Sequence, residues 1–273
     1  MTASKEPYEG RAIRAFAGDL TAWRVQRGLN KVELAERLGY DASLIGQIEA
    51  CKNIPSQKFA EDCDTFFSCA GSFARRWDQI EEERALHLLP PGFTDYMQRE
   101  ASATKLYLFE QNVITGIFQT PEYAQALLSI GRTQEEAEPL VAKRMARQQL
   151  LTRDRPPRIV VVFDEGAIRR MVGGREVMRQ QYRRLIEIAK MPNVTLHIIP
   201  REKGAHAGLA GAFFILGFEK GPDVVYTEGH VGGYMTEHRP VVQEYQVRYD
   251  LIRGAALSAD ETLKLLYAAL ENL

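Results

Sequence analysis

Residues 159–163 read IVVVF, an unbroken β-branched and aromatic run that follows Pro156 and Pro157 and ends at Asp164. A strand with apolar side chains on both faces must be covered on both, so the chain has to supply layers on each side of a sheet. A second strand is expected over residues 194–199. Between the two, residues 176–190 place Met178, Tyr182, Leu185 and Ile188 on one face of an amphipathic helix. Strand, helix, strand predicts a βαβ crossover. Two further strands are expected over residues 212–218 and 224–227, separated by a turn at 219–222, and closing helices over 240–252 and 259–270.

The first ninety residues have a different period. Phe16, Leu20 and Trp23 form a helical stripe that Gly28 ends. Asn30 is placed to cap a helix over residues 31–38, with Leu34, Ala35 and Leu38 inward and Gly39 just beyond its end. Asp41 or Ser43 caps a third helix that turns Ile45 and Ile48 inward, and a turn over residues 52–56 follows it. Helices over 57–67 and 72–88 complete the segment before Pro90, Pro91 and Gly92 break the chain. The fold class expected is therefore mixed, an all-α domain over residues 11–90 and an α/β domain over 91–273. The second has a helical lead-in: helices over 96–112, from Pro121 with Tyr123, Leu127 and Leu128, and over 135–151 with the basic residues Lys143, Arg144 and Arg147.

At 273 residues the chain is long enough for two cores, and 45% hydrophobic with 26% charged residues excludes a disordered polymer. The longest apolar stretch, 207–218, contains three glycines and is shorter than the roughly 18 residues of a membrane span. Residues 1–11 lack the apolar segment of a secretory signal, so no membrane association and a cytoplasmic location are expected. Cys51, Cys63 and Cys69 are an odd number with no CxxC pair, which argues against a disulfide framework and a four-ligand zinc site. They read as small buried hydrophobes; a redox switch is the minor alternative.

The tight joint at Leu38, Gly39 and Tyr40 fits a helix-turn-helix, whose second helix lies in the DNA major groove. With Ile45 and Ile48 inward, Ser43, Leu44 and Gln47 are left to read bases: Gln pairs with adenine, Ser with several bases, and Leu touches a thymine methyl. A solvated helix face is the plain alternative. Arg24, Asn30, Lys31, Lys52, Asn53 and Lys58 are the expected phosphate contacts, with helix amino-terminal amides beside them. Residues 11–60 hold eight basic against five acidic side chains, and the third helix has no Lys or Arg. One protomer should bind double-stranded DNA weakly, so a homodimer reading two half-sites is expected, with the carboxy-terminal domain as its seat.

The run from Leu29 to Ser56, with Leu34, Ala35, Gly39, Ser43, Ile45, Ile48, Glu49 and Pro55, resembles the helix-turn-helix of the XRE (Cro/C1-type) regulators. Further phrases extend the likeness: TGIFQTPEY at 115–123, KRMARQQL at 143–150, FDEGAIR at 163–169, VTLHIIP at 194–200, GAHAGLAGAFF at 204–214 and VVYTE at 224–228. They resemble the carboxy-terminal domain, of unassigned function, of an actinobacterial, WhiJ-like and antitoxin-like group of such regulators. The resemblance implies a transcriptional regulator and a small partner protein encoded nearby. Lys31 stands where XRE proteins usually have Gln, Gly46 where they often have Ser, and Cys51 where a Gly usually follows the recognition helix.

Asp164, Glu165, His197, His206, Glu228, His230 and His238 supply titratable groups to the second domain. No HxxxH pair, GxSxG elbow or phosphate loop accompanies them, so no catalytic residue, metal or cofactor is assigned. Glu165 is the better candidate for a ligand contact, although an acid at a helix amino terminus explains it equally well. Lys143, Arg144 and Arg147 could hold a nucleic acid or an acidic partner, but a solvated helix face is the preferred reading. The leading expectation is a sequence-specific DNA-binding regulator whose second domain senses a small partner or ligand. The alternative is an antitoxin-like interaction module that neutralises a partner, with DNA binding secondary.

Overall fold

The computed structural model describes residues 10–273, so the reading of residues 1–9 lies outside the described residues. The chain divides into two compact units between residues 87 and 88. The first is built of α1 (Arg11–Gln26), α2 (Lys31–Leu38), α3 (Ala42–Glu49), α4 (Gln57–Phe67) and α5 (Ser72–His87). Its core joins Phe16 and Leu20 of α1, Leu34 of α2, Ile45 and Ile48 of α3, Phe59 of α4 and Phe73 of α5.

Local chemistry sets the helix ends in this unit. The Asn30 side chain accepts the Glu33 amide while the Glu33 carboxylate accepts the Asn30 amide, so two otherwise orphaned donors at the start of α2 are satisfied together. Gly39 closes α2 at φ +77°, where a side chain would be strained. Asp41, rather than Ser43, caps α3.

The second unit holds α6 (Phe93–Ser102), β1 (Lys105–Glu110), α7 (Pro121–Leu128), α8 (Gln134–Arg147), β2 (Arg158–Asp164), α9 (Glu165–Arg169), α10 (Arg175–Ala189) and β3 (Val194–Ile199). It continues with β4 (Phe213–Gly217), β5 (Val224–Glu228), β6 (Gly233–Thr236), α11 (Arg239–Gly254) and α12 (Ala259–Glu271). The strands form one sheet in the order β3-β2-β1-β4-β5-β6. β1, β2 and β3 are parallel, whereas β4, β5 and β6 each run antiparallel to the strand before them in that order. Successive β2 side chains go to opposite layers. Ile159, Val161 and Phe163 pack with Met178, Tyr182 and Leu185 of α10 and Leu266 of α12. Val160 and Val162 pack with Val242, Tyr249 and Ile252 of α11. The doubly covered strand and its βαβ crossover are therefore as expected.

Two expectations are corrected. The single helix over 96–112 is instead α6 followed by β1, the strand on which the parallel and antiparallel halves of the sheet meet. Leu106 and Leu108 fill one layer and Phe109 the other, and pairing with β2 and β4 outweighs the local helical pattern. β6 was not expected at all. It is a four-residue edge strand with Tyr234 exposed, too short to show an apolar alternation. Among the described residues, no helix is long and apolar enough to cross a membrane.

Candidate nucleic-acid interface and a charged cavity

α2 and α3 are joined through Gly39, Tyr40 and Asp41. Tyr40 fixes the joint: its ring packs edge-on to Phe59 at 5.0 Å and its hydroxyl donates to Asp62 at 2.6 Å. With Ile45 and Ile48 in the core, Ser43 and Gln47 are exposed on the opposite side of α3. Leu44 is half-buried and packs partly against that core, so less of it is available to a base than expected. A Cβ added at Gly46 would meet nothing within 4 Å, which leaves the surface beside Gln47 open.

The expected phosphate contacts divide. Lys52 and Lys58 are exposed and Asn53 is half-buried just beyond α3; Lys58 pairs with Asp62 at 2.8 Å. Asn30 uses its side-chain oxygen as the α2 cap. Arg24 is turned inward, a correction to its expected place: its guanidinium donates to both Glu49 oxygens, at 2.7 and 3.2 Å, and to the Leu29 carbonyl. Lys31, 48% exposed, reaches the same carboxylate at 3.2 Å. Glu49 thus ties the end of α3 to α1 and α2. Burial pushes its pKa up, but the bonds from Arg24 and Lys31 outweigh this and hold it below the ordinary value. Cys63 and Cys69 remain thiols, since burial pushes both up, Cys69 to about 11 with help from its bond to Asp64.

The second unit contains a cavity of about 470 Å³ lined by Glu110, Arg144, Arg147, Phe213, Tyr226 and Glu228 among others. Its place follows from the sheet. Glu110 ends β1, Glu228 ends β5 and Phe213 begins β4, and the pairing of these strands brings all three to one edge. β1 is where the strand order reverses, the point at which open α/β sheets take ligands. Arg144 and Arg147, three residues apart on α8, share one helix face.

Arg147 is anchored. It makes two bonds of 2.9 Å to the buried Glu100, lies 5.0 Å from the Phe93 ring centre and is held well up by the Glu100 charge, which outweighs the lowering effect of burial. Arg144 donates to Gln119 Oε1 at 2.9 Å, while Gln119 Nε2 donates to the Ile114 carbonyl. Burial pushes Arg144 down to about 10, still protonated at neutral pH. Glu110, half-buried, is pushed up to about 8, first by burial and then by the charge of Glu228; Glu228 is exposed as a residue, and only the partial enclosure of its carboxyl raises it. Unlike Arg147 and Glu100, none of Glu110, Glu228 and Arg144 has an ion-pair partner within 4 Å among the described residues. Among the described residues the buried Tyr226 hydroxyl has no hydrogen-bond partner.

The expected solvated face therefore does not hold for Arg144 and Arg147. Glu165 is not a cavity residue: it is buried, pairs with Arg169 and accepts the Arg201 amide at 2.8 Å, fastening α9 to the segment after β3. His206, expected at the surface or in a hydrogen bond, has its side chain buried with Nε2 3.0 Å from Asp164. Since Gly208 donates to its Nδ1, Nε2 carries the proton. His197 Nδ1 donates to the Leu257 carbonyl, and His238 is exposed before α11. His230 and Glu228 are the two acids or bases among the sequence candidates that line the cavity. No group of three His, Cys, Asp or Glu that could hold a metal occurs among the described residues.

Residues 93–268, α6 to most of α12, match a family described as a domain of unknown function, DUF5753. The chain belongs to the DUF5753 family. No curated protein and no solved structure matches it. All cavity-lining residues fall inside the DUF5753 domain. Glu110 was missed because it fell inside an expected helix; the alternation of Leu106 and Leu108 just before it is the signal that a strand ends there.

Proposed function

We propose that this DUF5753 protein is a sequence-specific DNA-binding transcriptional regulator of the XRE helix-turn-helix type, acting as a homodimer. Its DUF5753 domain senses a small partner protein or ligand. The observation that carries the reading is the split of α3: Ile45 and Ile48 anchored in the core, Glu49 tied to two neighbouring helices, Ser43 and Gln47 left on the open side. A helix so held presents the same side chains to every duplex it meets. In this reading Gln47 and Ser43 read bases, with the exposed part of Leu44 beside them. Lys52, Asn53, Lys58, Lys31 and the α2 amino-terminal amides meet phosphates. Arg24 positions α3 from behind.

Fluorescence anisotropy on a mixed-sequence duplex over rising salt tests it. Affinity should fall steeply with salt, and Lys52→Ala should weaken all duplexes alike and lower the logarithmic slope by about one. Gln47→Ala should keep that slope and lose preference among sequences. Flat or absent duplex binding would instead favour the antitoxin-like interaction module.

A further inference from the structure

Opposite charges enclosed together normally close on one another, because a buried ion without a partner is costly. Glu100 and Arg147 do so. Glu110 and Arg144, both half-buried, and the exposed Glu228 face the same cavity and do not. Each is held by its own element: Glu110 at the end of β1, Glu228 at the end of β5, and Arg144 by Gln119, which is itself bonded to the Ile114 carbonyl.

Only some ligands match such a wall. A simple anion would meet Arg144 but also the Glu228 carboxylate, and a simple cation would meet Glu228 and Glu110 but also the guanidinium. Either leaves one charge of the cavity wall unmatched. A molecule carrying both signs matches both: its ammonium draws Glu110, which otherwise keeps its proton at neutral pH, into the ionised form with release of that proton to solvent, and Arg147, neutralised by Glu100, adds no charge of its own. Phe93, Phe213, Phe214 and Tyr226 offer apolar and aromatic wall to the body of the molecule. The volume lies at the small end of the roughly 300–1,000 Å³ of small-molecule sites.

We infer that this cavity binds a small zwitterion, a free amino acid or dipeptide, with its ammonium on Glu110 and Glu228 and its carboxylate on Arg144. The inference deepens the sensing half of the regulator reading and rests on it for its consequence. Binding is measured without DNA, so a failure of DNA recognition leaves it standing, and its own failure leaves the helix-turn-helix reading standing.

Calorimetry on the full chain at neutral pH, with the free amino acids and a set of dipeptides, is the test. Phenylethylamine and 3-phenylpropionate serve as single-charge probes. At least one zwitterion should bind with a Kd of about 1 mM or tighter. A probe lacking either charge should bind at least roughly tenfold more weakly than its zwitterionic parent, and Glu110→Gln and Arg144→Gln should each cost roughly tenfold or more. Circular dichroism checks that both variants fold, and the comparison of probes on the unaltered chain needs no variant. Three results would overturn the inference: no binding across the panel, a lone amine or acid binding as tightly as the zwitterion, or folded variants that bind as the parent does.

Discussion

Glu49 and Glu110 are both enclosed carboxylates beside arginines, and their surroundings push them in opposite directions. Glu49 receives direct bonds from Arg24 and Lys31 and sits below its ordinary pKa; Glu110 has Arg144 nearby without a direct bond and is raised to about 8. The difference separates two uses of buried charge. In the amino-terminal unit, charges are consumed in fixing one geometry, that of α3. In the DUF5753 domain Glu110 and Arg144 are kept apart, and the cost shows as a carboxyl that keeps its proton at neutral pH.

Breaking the first arrangement should have the largest effect. Glu49→Gln leaves the Arg24 guanidinium, 13% exposed, without its carboxylate and should destabilise the amino-terminal unit by about 3 kcal/mol in chemical denaturation. Because the native pKa of Glu49 is depressed, its contribution is full above the ordinary value of 4.5 and is lost as pH falls through the native one. The parent should therefore lose stability in acid that Glu49→Gln no longer has to lose; a change under about 1 kcal/mol at neutral pH would mean the pair does not hold α3.

The second arrangement should respond with the opposite sign. With its native pKa raised from 4.5 to about 8, Glu110 keeps a proton that the unfolded chain releases, so stability falls as pH rises through that window. Glu110→Gln should stabilise the DUF5753 domain by on the order of 2 kcal/mol at pH 8, allowing for water in the cavity, and change it little at pH 4.5. Equal effects at both pH values would show that Glu110 is paired after all.

The smallest effects concern the backbone of α3. Gly46 has open space around it and lies inside a helix, so Gly46→Ala should add about 0.5 to 1 kcal/mol. Cys51 follows α3 at φ +56°, the position where the resembled regulators usually have glycine, and Cys51→Gly should add about 1 kcal/mol. Thermal melts of both variants check this, and a loss in either would mean that the native side chain makes a contact worth more than the strain.

How much was legible in the sequence follows from where each signal lives. Much of the first unit was readable locally, because Asn30, Gly39 and Asp41 act on helix ends within a few positions of themselves. The doubly covered β2 announced itself by lacking any polar residue between Ile159 and Phe163. β1 did not, since its strand character comes from β2 and β4, tens of residues away. The cavity was lost with it: without Glu110 at a strand end, Arg144 and Arg147 have nothing to face and look like an ordinary basic helix. Arg24 misled for a similar reason, as nothing local tells an outward arginine from one that crosses to Glu49.

Selection of bound duplexes from a random pool at near-physiological salt, run with the parent and with a Ser43→Ala, Gln47→Ala double variant, tests the central claim most directly. The account predicts an inverted repeat enriched by the parent alone, its half-site spacing set by the two α3 helices of a dimer. No enrichment by the parent, or the same enrichment by both proteins, would contradict it.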